Sequence, residues 1–256
     1  NTVTLTVTDP SGNSSTCTAT VTVEDNINPT AVGQDITVQL DATGSATFTA
    51  ADIDNGSTDN CGAPTLSLDI TSFGCADVGP NTVTLTVTDG SGNSDSTTAT
   101  VTVEDNIDPT AVCQDITIQL DASGNASIVA GDIDIGSSDN CSVSLSADVT
   151  SFTAADLGAN TVTLTVTDPS GNTAVCTAVV TVQDNIAPIA VCQDFTVALD
   201  ATGNATIVAG DIDNGSSDND SVASLSLDTS SFTCADLGTN TVTLTVTDPS
   251  GNSSTC

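Results

Sequence analysis

Between Asn1 and Asp9 the apolar residues Val3, Leu5 and Val7 alternate with Thr2, Thr4, Thr6 and Thr8. A period of two places the apolar side chains on one face and the hydroxyls on the other, which predicts a half-buried β-strand. Asp9-Pro10-Ser11-Gly12-Asn13 is turn chemistry and stops the strand. A second alternating run, Cys17 to Val23, follows at once, so the two predict an antiparallel hairpin. The stretch Asn-Thr-Val-Thr-Leu-Thr-Val-Thr-Asp starts again at Asn81, Asn160 and Asn240, in steps of 80, 79 and 80 residues. The chain is therefore a tandem array, to be read as one unit repeated.

Within one unit the same patterning continues. After Asp105-Asn-Ile-Asp-Pro109, a stiff extended entry, Gln114 to Leu120 alternates with Ile116, Ile118 and Leu120 on one face. A turn over 121–125 leads to a second strand at 126–130, then to a long acidic loop over 131–141. Short strands are expected within 143–149, and a single helical turn ended by Gly158 within 151–158. The hairpin Asn160–Val182 closes the unit. About seven short strands, turn signals between them and no amphipathic helix predict an all-β chain of immunoglobulin-like β-sandwich domains of about 80 residues, arranged as beads on a string. Phe152, with Phe73 and Phe232 in the other units, is the expected core plug. The expected boundaries are 1–24 (the last two strands of a preceding repeat), 25–104, 105–183, and 184–256 (a repeat without its last strand). Residues 1–17 and 240–256 are identical, whereas the internal copies diverge. This suggests a period of 239 residues cut from a longer array; strand exchange between chains is the other explanation of the missing strand.

Charge narrows the function. The chain has 33 acidic residues and no Lys, Arg or His, a formal charge of −33. Side-chain salt bridges are impossible, nothing can neutralise the phosphates of nucleic acid, and an anionic membrane surface is disfavoured. No run is long enough to insert in a membrane as a helix. The regular alternation and β-branched content argue against an acidic disordered chain. Without His, no Ser-His-Asp or Cys-His arrangement can form. Paired aspartates for glycoside cleavage lack a shaped cleft and stacking aromatics, so no enzyme is expected. Ice binding by the threonine rows is disfavoured because they recur once per unit. Asn13, Asn55, Asn125 and Asn204 head Asn-x-Ser/Thr triplets, which chance explains in so Ser/Thr-rich a chain.

A Gly before a strand, then Asp-x-Ser-Gly-Asn (168–172), a Cys (Cys176), Val-x-Val-x-Asp (180–184) and an Asp-Asn-x-x-Pro start (105–109) together resemble the hyalin repeat (HYR) family. The resemblance covers essentially the whole chain. It implies extracellular immunoglobulin-like repeats linked with adhesion and matrix, including long bacterial surface proteins. This chain departs from the pattern in having almost no aromatic and no basic residues, which weighs against ligand capture by aromatic hot spots.

Nine cysteines without a zinc pattern suggest an oxidising, extracellular or cell-surface setting. Aligned, the units show four cysteine positions. The first is Cys113 and Cys192 (Gly33 in the first unit) and the second is Cys61 and Cys141 (Asp220 in the third). The third is Cys75 and Cys234 (Ala154 in the second), and the fourth is Cys17, Cys176 and Cys256 (Thr97 in the first). Joint loss of the first and fourth in one unit predicts the bridges Cys113–Cys176 and Cys192–Cys256, and retention of the other two predicts Cys61–Cys75. Cys17 would pair with a residue upstream. Cys141 and Cys234 are left either as buried thiols or as a bridge between units or chains.

At the entry end of a sandwich the linker, the loop after the second strand and the turn of the last hairpin meet. In the second unit these carry Glu104, Asp105, Asp132, Asp134, Asp139 and Asp168. The first unit offers Glu24, Asp25, Asp52, Asp54, Asp59 and Asp89. The third offers Asp184, Asp211, Asp213, Asp218 and Asp248, with Gln183 in place of Glu. Converging carboxylates repel and raise each other's pKa values, and Ca2+ accepts six to eight oxygens in a flexible cage. The same residues are also turn formers in contact with water, and both readings stand. By analogy with cadherin-type junctions, Ca2+ would stiffen the joint between domains, most weakly at the third because of Gln183. The expected function is an extracellular structural repeat protein, a calcium-stiffened and disulfide-reinforced stalk or filament whose partners are further copies of the repeat. The alternative is a calcium-dependent adhesion or polysaccharide-binding module.

Overall fold

The computed structural model describes residues 1–256. The chain divides into two compact units, Asn1–Ile107 and Asp108–Cys256, and both are all-β sandwiches.

The first unit opens with an antiparallel hairpin, Thr2–Thr8 with Ser14–Thr20, in the register Thr2↔Thr20 to Thr8↔Ser14. A four-stranded sheet follows in the order Ile36–Gln39, Ser94–Glu104, Gly79–Thr88, Thr65–Leu68. Ile36–Gln39 runs parallel to the end of Ser94–Glu104, and the other pairs are antiparallel. A two-stranded sheet, Ser45–Thr47 with Ser72–Gly74, belongs to the same sandwich. Its edge is completed by a single turn of helix, Ala50–Ile53, and a 3-10 turn, Cys75–Asp77.

The second unit uses the same plan twice. Its four-stranded sheet has the order Ser144–Ala147, Gly158–Thr167, Thr173–Gln183, Ile116–Gln119, beside the pair Asn125–Ser127 and Ser151–Thr153. Residues 184–256 form a three-stranded version, Ser224–Leu227, Leu244–Thr247 and Ser253–Thr255, beside Asn204–Thr206 and Ser231–Thr233. Here 195–199 is not a strand. The strands that Ile36–Gln39 and Ile116–Gln119 lie against, 101–104 and 180–183, have no counterpart within 184–256. An open groove of about 730 Å³ lies there instead, with Phe195 and Leu237 on its rim.

Alternation explains the cores. Val83, Leu85 and Val87 are fully buried, as are Val162, Leu164 and Val166, while the threonines between them stay half-exposed. Phe152 is buried at the centre of its cluster with Leu120, Ile128 and Ile133. In the first unit Phe73 stacks on Phe48, ring centroids 5.5 Å apart. The third core is smaller, built on Ile207, Ile212, Leu244 and Val246, with Phe232 packed at its side. Identical sequence gives the opposite result in the first hairpin: Val3, Leu5 and Val7 are more than half exposed, because no second sheet covers them in this chain.

Two disulfides join the first strand region of a sandwich to its last strand: Cys113–Cys176, with Cα atoms 5.8 Å apart, and Cys192–Cys256, also 5.8 Å. The expected Cys61–Cys75 bridge is corrected by the structure. Cys61 is a free, exposed thiol, and Cys75 is held in a disulfide that does not involve it. The reason is distance along the sandwich. Cys61 lies beside Asp25, at the end where Asp89 turns the last hairpin. The Cys75 sulfur lies 3.7 Å from the carbonyl oxygen of Gly44, in the turn beyond Gln39. Gln39 pairs with Glu104, so the whole strand Ser94–Glu104 separates the two cysteines, about 30 Å at 3.3 Å per residue. Cys141 is disulfide-bonded, not a thiol, whereas Cys234 and Cys17 are exposed thiols.

Two measurements check this architecture. Leu85→Ala and Leu164→Ala should each lower the unfolding free energy by about 2–5 kcal/mol, whereas Leu5→Ala, at the same place in the repeat, should stay within about 0.5 kcal/mol. Converting Cys113 and Cys176 together to Ala should cost about 2–4 kcal/mol in denaturant unfolding. A cost for Leu5→Ala equal to that of Leu85→Ala would contradict the exposed hairpin.

Candidate metal centre

The absence of basic side chains decides how each aspartate is stabilised: backbone N–H groups and side-chain amides are the available donors. Asp89 shows the pattern. One oxygen accepts from the N–H groups of Ser91 (2.9 Å) and Asn93 (2.7 Å), and the other accepts from the Asn93 amide (2.7 Å). That amide also donates to the Asp25 carbonyl oxygen (3.0 Å), which ties the incoming linker to the hairpin turn. Asn252 does the same between Asp248 (2.8 Å) and the Asp184 carbonyl oxygen (3.1 Å). The Asp-x-Ser-Gly-Asn run is therefore a clasp on the entry end as well as a turn.

This clasp assembles two carboxylate clusters. In the first unit Asp25, Asp59 and Asp89 each bring an oxygen to within 4.8 Å of the others. In the second unit Asp184, Asp218 and Asp248 do so. Asp184 and Asp248 are 4% and 2% exposed, so their charges are withdrawn from bulk water. Buried oxygens without a hydrogen-bond partner lie in both sets: Asp59 Oδ1 in the first, and Asp184 Oδ2, Asp218 Oδ1 and Asn219 Oδ1 in the second. A buried acceptor without a donor costs about 1–3 kcal/mol, more when it is charged. Several in one place fit a cation better than any neutral donor, and an all-oxygen set suits Ca2+.

Electrostatics separate the members. Hydrogen bonds from the Cys61 thiol and the Ile27 N–H hold the Asp25 carboxyl below the usual carboxylate range, against its desolvation, and the same contact with Asp25 pushes the Cys61 thiol up. Burial opposes ionisation of Asp89, but the Asn93 amide and the turn N–H groups outweigh it and keep its pKa low. Burial, then the hydrogen bond with Asp220, pushes Asp218 up.

Several of the other sequence-predicted ligands serve local turns instead. Asp52, Asp132 and Asp211 are not in these clusters, because each caps its own short helix. They accept from the N–H groups of Thr49 (2.7 Å), Val129 (2.7 Å) and Val208 (2.9 Å). Asp54, Asp134 and Asp213 likewise close the next turn, accepting from the N–H groups of Ser57, Ser137 and Ser216 at 3.0, 3.0 and 3.1 Å. Glu24 and Glu104 are exposed. Glu104 accepts from the Gln39 amide (2.7 Å), and Gln183 accepts from Gln119 (3.0 Å), so Gln183 is spent at its own sheet edge. Asp105 is buried and accepts from the Ile107 N–H (3.2 Å). Asp139 accepts from the Cys141 N–H (3.1 Å). Asp168 is buried in the turn, with Asn172 Nδ2 at 2.7 Å.

Sequence reading missed a further set. Asp69, Asp148 and Asp228 accept from the N–H groups of Thr84, Thr163 and Thr243, each at 2.8 Å. These bonds pin the strand edge and hold all three carboxyls below the usual range. Their recurrence at one place in each unit was the available signal.

No family model matches the chain, and no curated protein matches it. Among solved structures it is similar to the EC1-4 fragment of PcdhgB3, at 15% identity over 100% of this chain and 81% of that one, TM-score 0.36. It is also similar to the protocadherin gammaB7 EC3-6 cis-dimer structure, at 16% over 99% and 82%, TM-score 0.33. A titin segment of three immunoglobulin domains gives 10% over 90% and 97%, TM-score 0.34. At these scores the neighbours carry no argument about function.

The pKa directions fix a pH dependence. Asp25, Asp69, Asp89, Asp148 and Asp228 are lowered in the folded chain. Their stabilisation is full above the unfolded value of about 4 and is lost as pH falls through the lower folded values. Asp218, raised, has the opposite sign: its contribution is present in acid and is lost as pH rises through its folded value. Thermal melts should therefore fall steeply below about pH 4. Asp69→Asn should flatten that fall, and Asp218→Asn should raise stability near neutrality when no divalent ion is present.

Proposed function

We propose that this chain is part of an extracellular structural array whose sandwich modules bind Ca2+ at their entry ends and are stiffened by it. The observation that carries the reading is the buried, donor-less Asp184 Oδ2 and Asp218 Oδ1 beside Asp248, in a chain with no basic side chain to serve them. Asp184, Asp218 and Asp248, with the Asn219 amide oxygen, would hold one ion; Asp25, Asp59 and Asp89 would hold the equivalent ion.

The place of the cluster suits a joint. The Asn219 amide donates to the Asp121 carbonyl oxygen (3.2 Å), in the far turn of the preceding sandwich. A cavity of about 320 Å³ opens beside Asp184, lined by Leu157, Gly158, Val182, Gln183, Asn185 and Ser250. An ion held by Asp184, Asp218 and Asp248 would tie the first residue after the preceding sandwich's last strand to two loops of the following module. Disulfides between first and last strands support an oxidising location outside the cell, and no helix is long and apolar enough to cross a membrane. The partners in this reading are further copies of the repeat. Capture of a polysaccharide through Ca2+ is the second reading, but no exposed stacking aromatic lies beside either carboxylate cluster.

Calorimetric titration should show Ca2+ binding to the intact chain, with a rise in melting temperature that chelation reverses and a larger radius of gyration in small-angle scattering. Asp248→Asn with Asp218→Asn should abolish the site in the second unit and leave that of the first. Binding that persists in this double variant together with Asp89→Asn and Asp59→Asn would place the ions elsewhere. Identical melting and scattering with and without millimolar Ca2+ would defeat the stiffening role.

A further inference from the structure

The joint inside the second unit shows where cysteines of neighbouring modules would meet. The third cysteine position follows the short strand that pairs with the turn beyond the first strand. In the register Asn204↔Thr233, Cys234 comes next, and its sulfur lies over Gly203, 3.7 Å from the carbonyl oxygen. Cys75 stands identically over Gly44, also at 3.7 Å. The register Asn125↔Thr153 places Ala154 at the same point over Gly124.

Gly124 is also where the following module touches. A Cβ built on it would lie 2.5 Å from the carbonyl oxygen of Asn219. The next residue, Asp220, occupies the second cysteine position, that of Cys61 and Cys141. At this joint the third position of one module and the second position of the next thus converge on Gly124. Both lack cysteine here, Ala154 on one side and Asp220 on the other. Elsewhere a cysteine in each position is engaged: Cys75 in the third and Cys141 in the second are both disulfide-bonded. Cys234 and Cys61 are the remaining members, and both are exposed thiols.

We propose that the second and third positions form a covalent staple between consecutive modules, so that Cys234 is the half-cystine for a following module's second position and Cys61 the half-cystine for a preceding module's third position. The staple is separate from the Cys113–Cys176 type of bridge, which closes a module on itself. The partner is a second module of this chemistry, with a thiol at the second position after an Asp-Asn pair. Two thiols give up two protons and two electrons to a small-molecule disulfide, which leaves as two thiols while one S–S bond forms. This goes beyond the calcium reading and stands without it, so its test is run in chelator.

Two experiments on the full chain decide it. Ala154→Cys with Asp220→Cys should, in a glutathione redox buffer, lose both added thiols and yield one linked peptide pair after acid-protease digestion. Either single variant should keep its thiol, with circular dichroism of each variant as the check that it is folded. Persistence of both thiols in the folded double variant would overturn the register. The unaltered chain, oxidised at high concentration, should form dimers and higher ladders on non-reducing gels, linked Cys234–Cys61 and dissolved by reductant, lost in Cys234→Ser and in Cys61→Ser but retained in Cys17→Ser. Monomers that keep all three thiols, or dimers linked chiefly through Cys17, would overturn the pairing.

Discussion

A polyanion without a single basic side chain must find its counter-charges in its own backbone, and that constraint shapes every turn of this protein. Most of the aspartates accept from N–H groups two to four residues away or across one strand edge. Asp41 in its turn, Asp52 at its helix and Asp69 at its edge are three solutions of the same problem. Most of these bonds are short-range and specify local shape; Asp35, Asp95 and Asp115 instead reach across the fold, to the N–H groups of Thr100, Ala31 and Val179. Long-range order then rests on apolar alternation and on disulfides. The entry ends are the exception. There three carboxylates meet from three chain segments, and the supply of N–H groups runs out.

Much of this was legible in the residues. The period-two stretches predicted strands whose apolar face became the core, as at Val162, Leu164 and Val166. Asn at the head of the recurring stretch was read only as a marker. In the structure Asn81, Asn160 and Asn240 donate back to the carbonyl oxygens of Asp77, Asp156 and Asp236 at 2.6–2.7 Å and so tie the recurring stretch to the 3-10 turn before it. The single helical turn expected within 151–158 is a 3-10 turn, Ala154–Asp156, held by Asp156 on the Thr153 N–H. Periodicity cannot reveal such caps, because they depend on one side chain reaching one amide.

The site was legible in residue type and blurred in membership. Composition and loop position gathered many acids per unit, but the acids next to a Gly or Ser turn are satisfied locally, whereas Asp59, Asp184 and Asp218, each followed by Asn, keep an oxygen over. Asp54 followed by Gly56-Ser57 is a turn; Asp59 followed by Asn60 leaves an oxygen over. The cysteines misled for a related reason. Joint presence or absence identifies partners only when the comparison crosses the right boundary. Cys61 and Cys75 are retained in one unit but lie a full strand apart, whereas the absences at Ala154 and Asp220 fall on two sides of one joint.

Charge arithmetic limits what calcium can do here. One ion in each described cluster would bring a charge of +4 against a formal −33, so binding leaves the chain a strong polyanion. General repulsion is relieved by salt, since exposed charges are screened beyond roughly 8–10 Å at physiological ionic strength. The ions act where screening cannot reach, on carboxylates such as Asp184 and Asp248 that are nearly sealed from solvent. Raising monovalent salt and adding calcium are therefore different interventions on this molecule. The first softens repulsion along the whole chain and lets modules approach. The second removes a local penalty at a joint and ties the linker there to the following module. A chain that is stiff because its modules repel would lose stiffness in salt; one that is stiff because its joints are occupied would keep it.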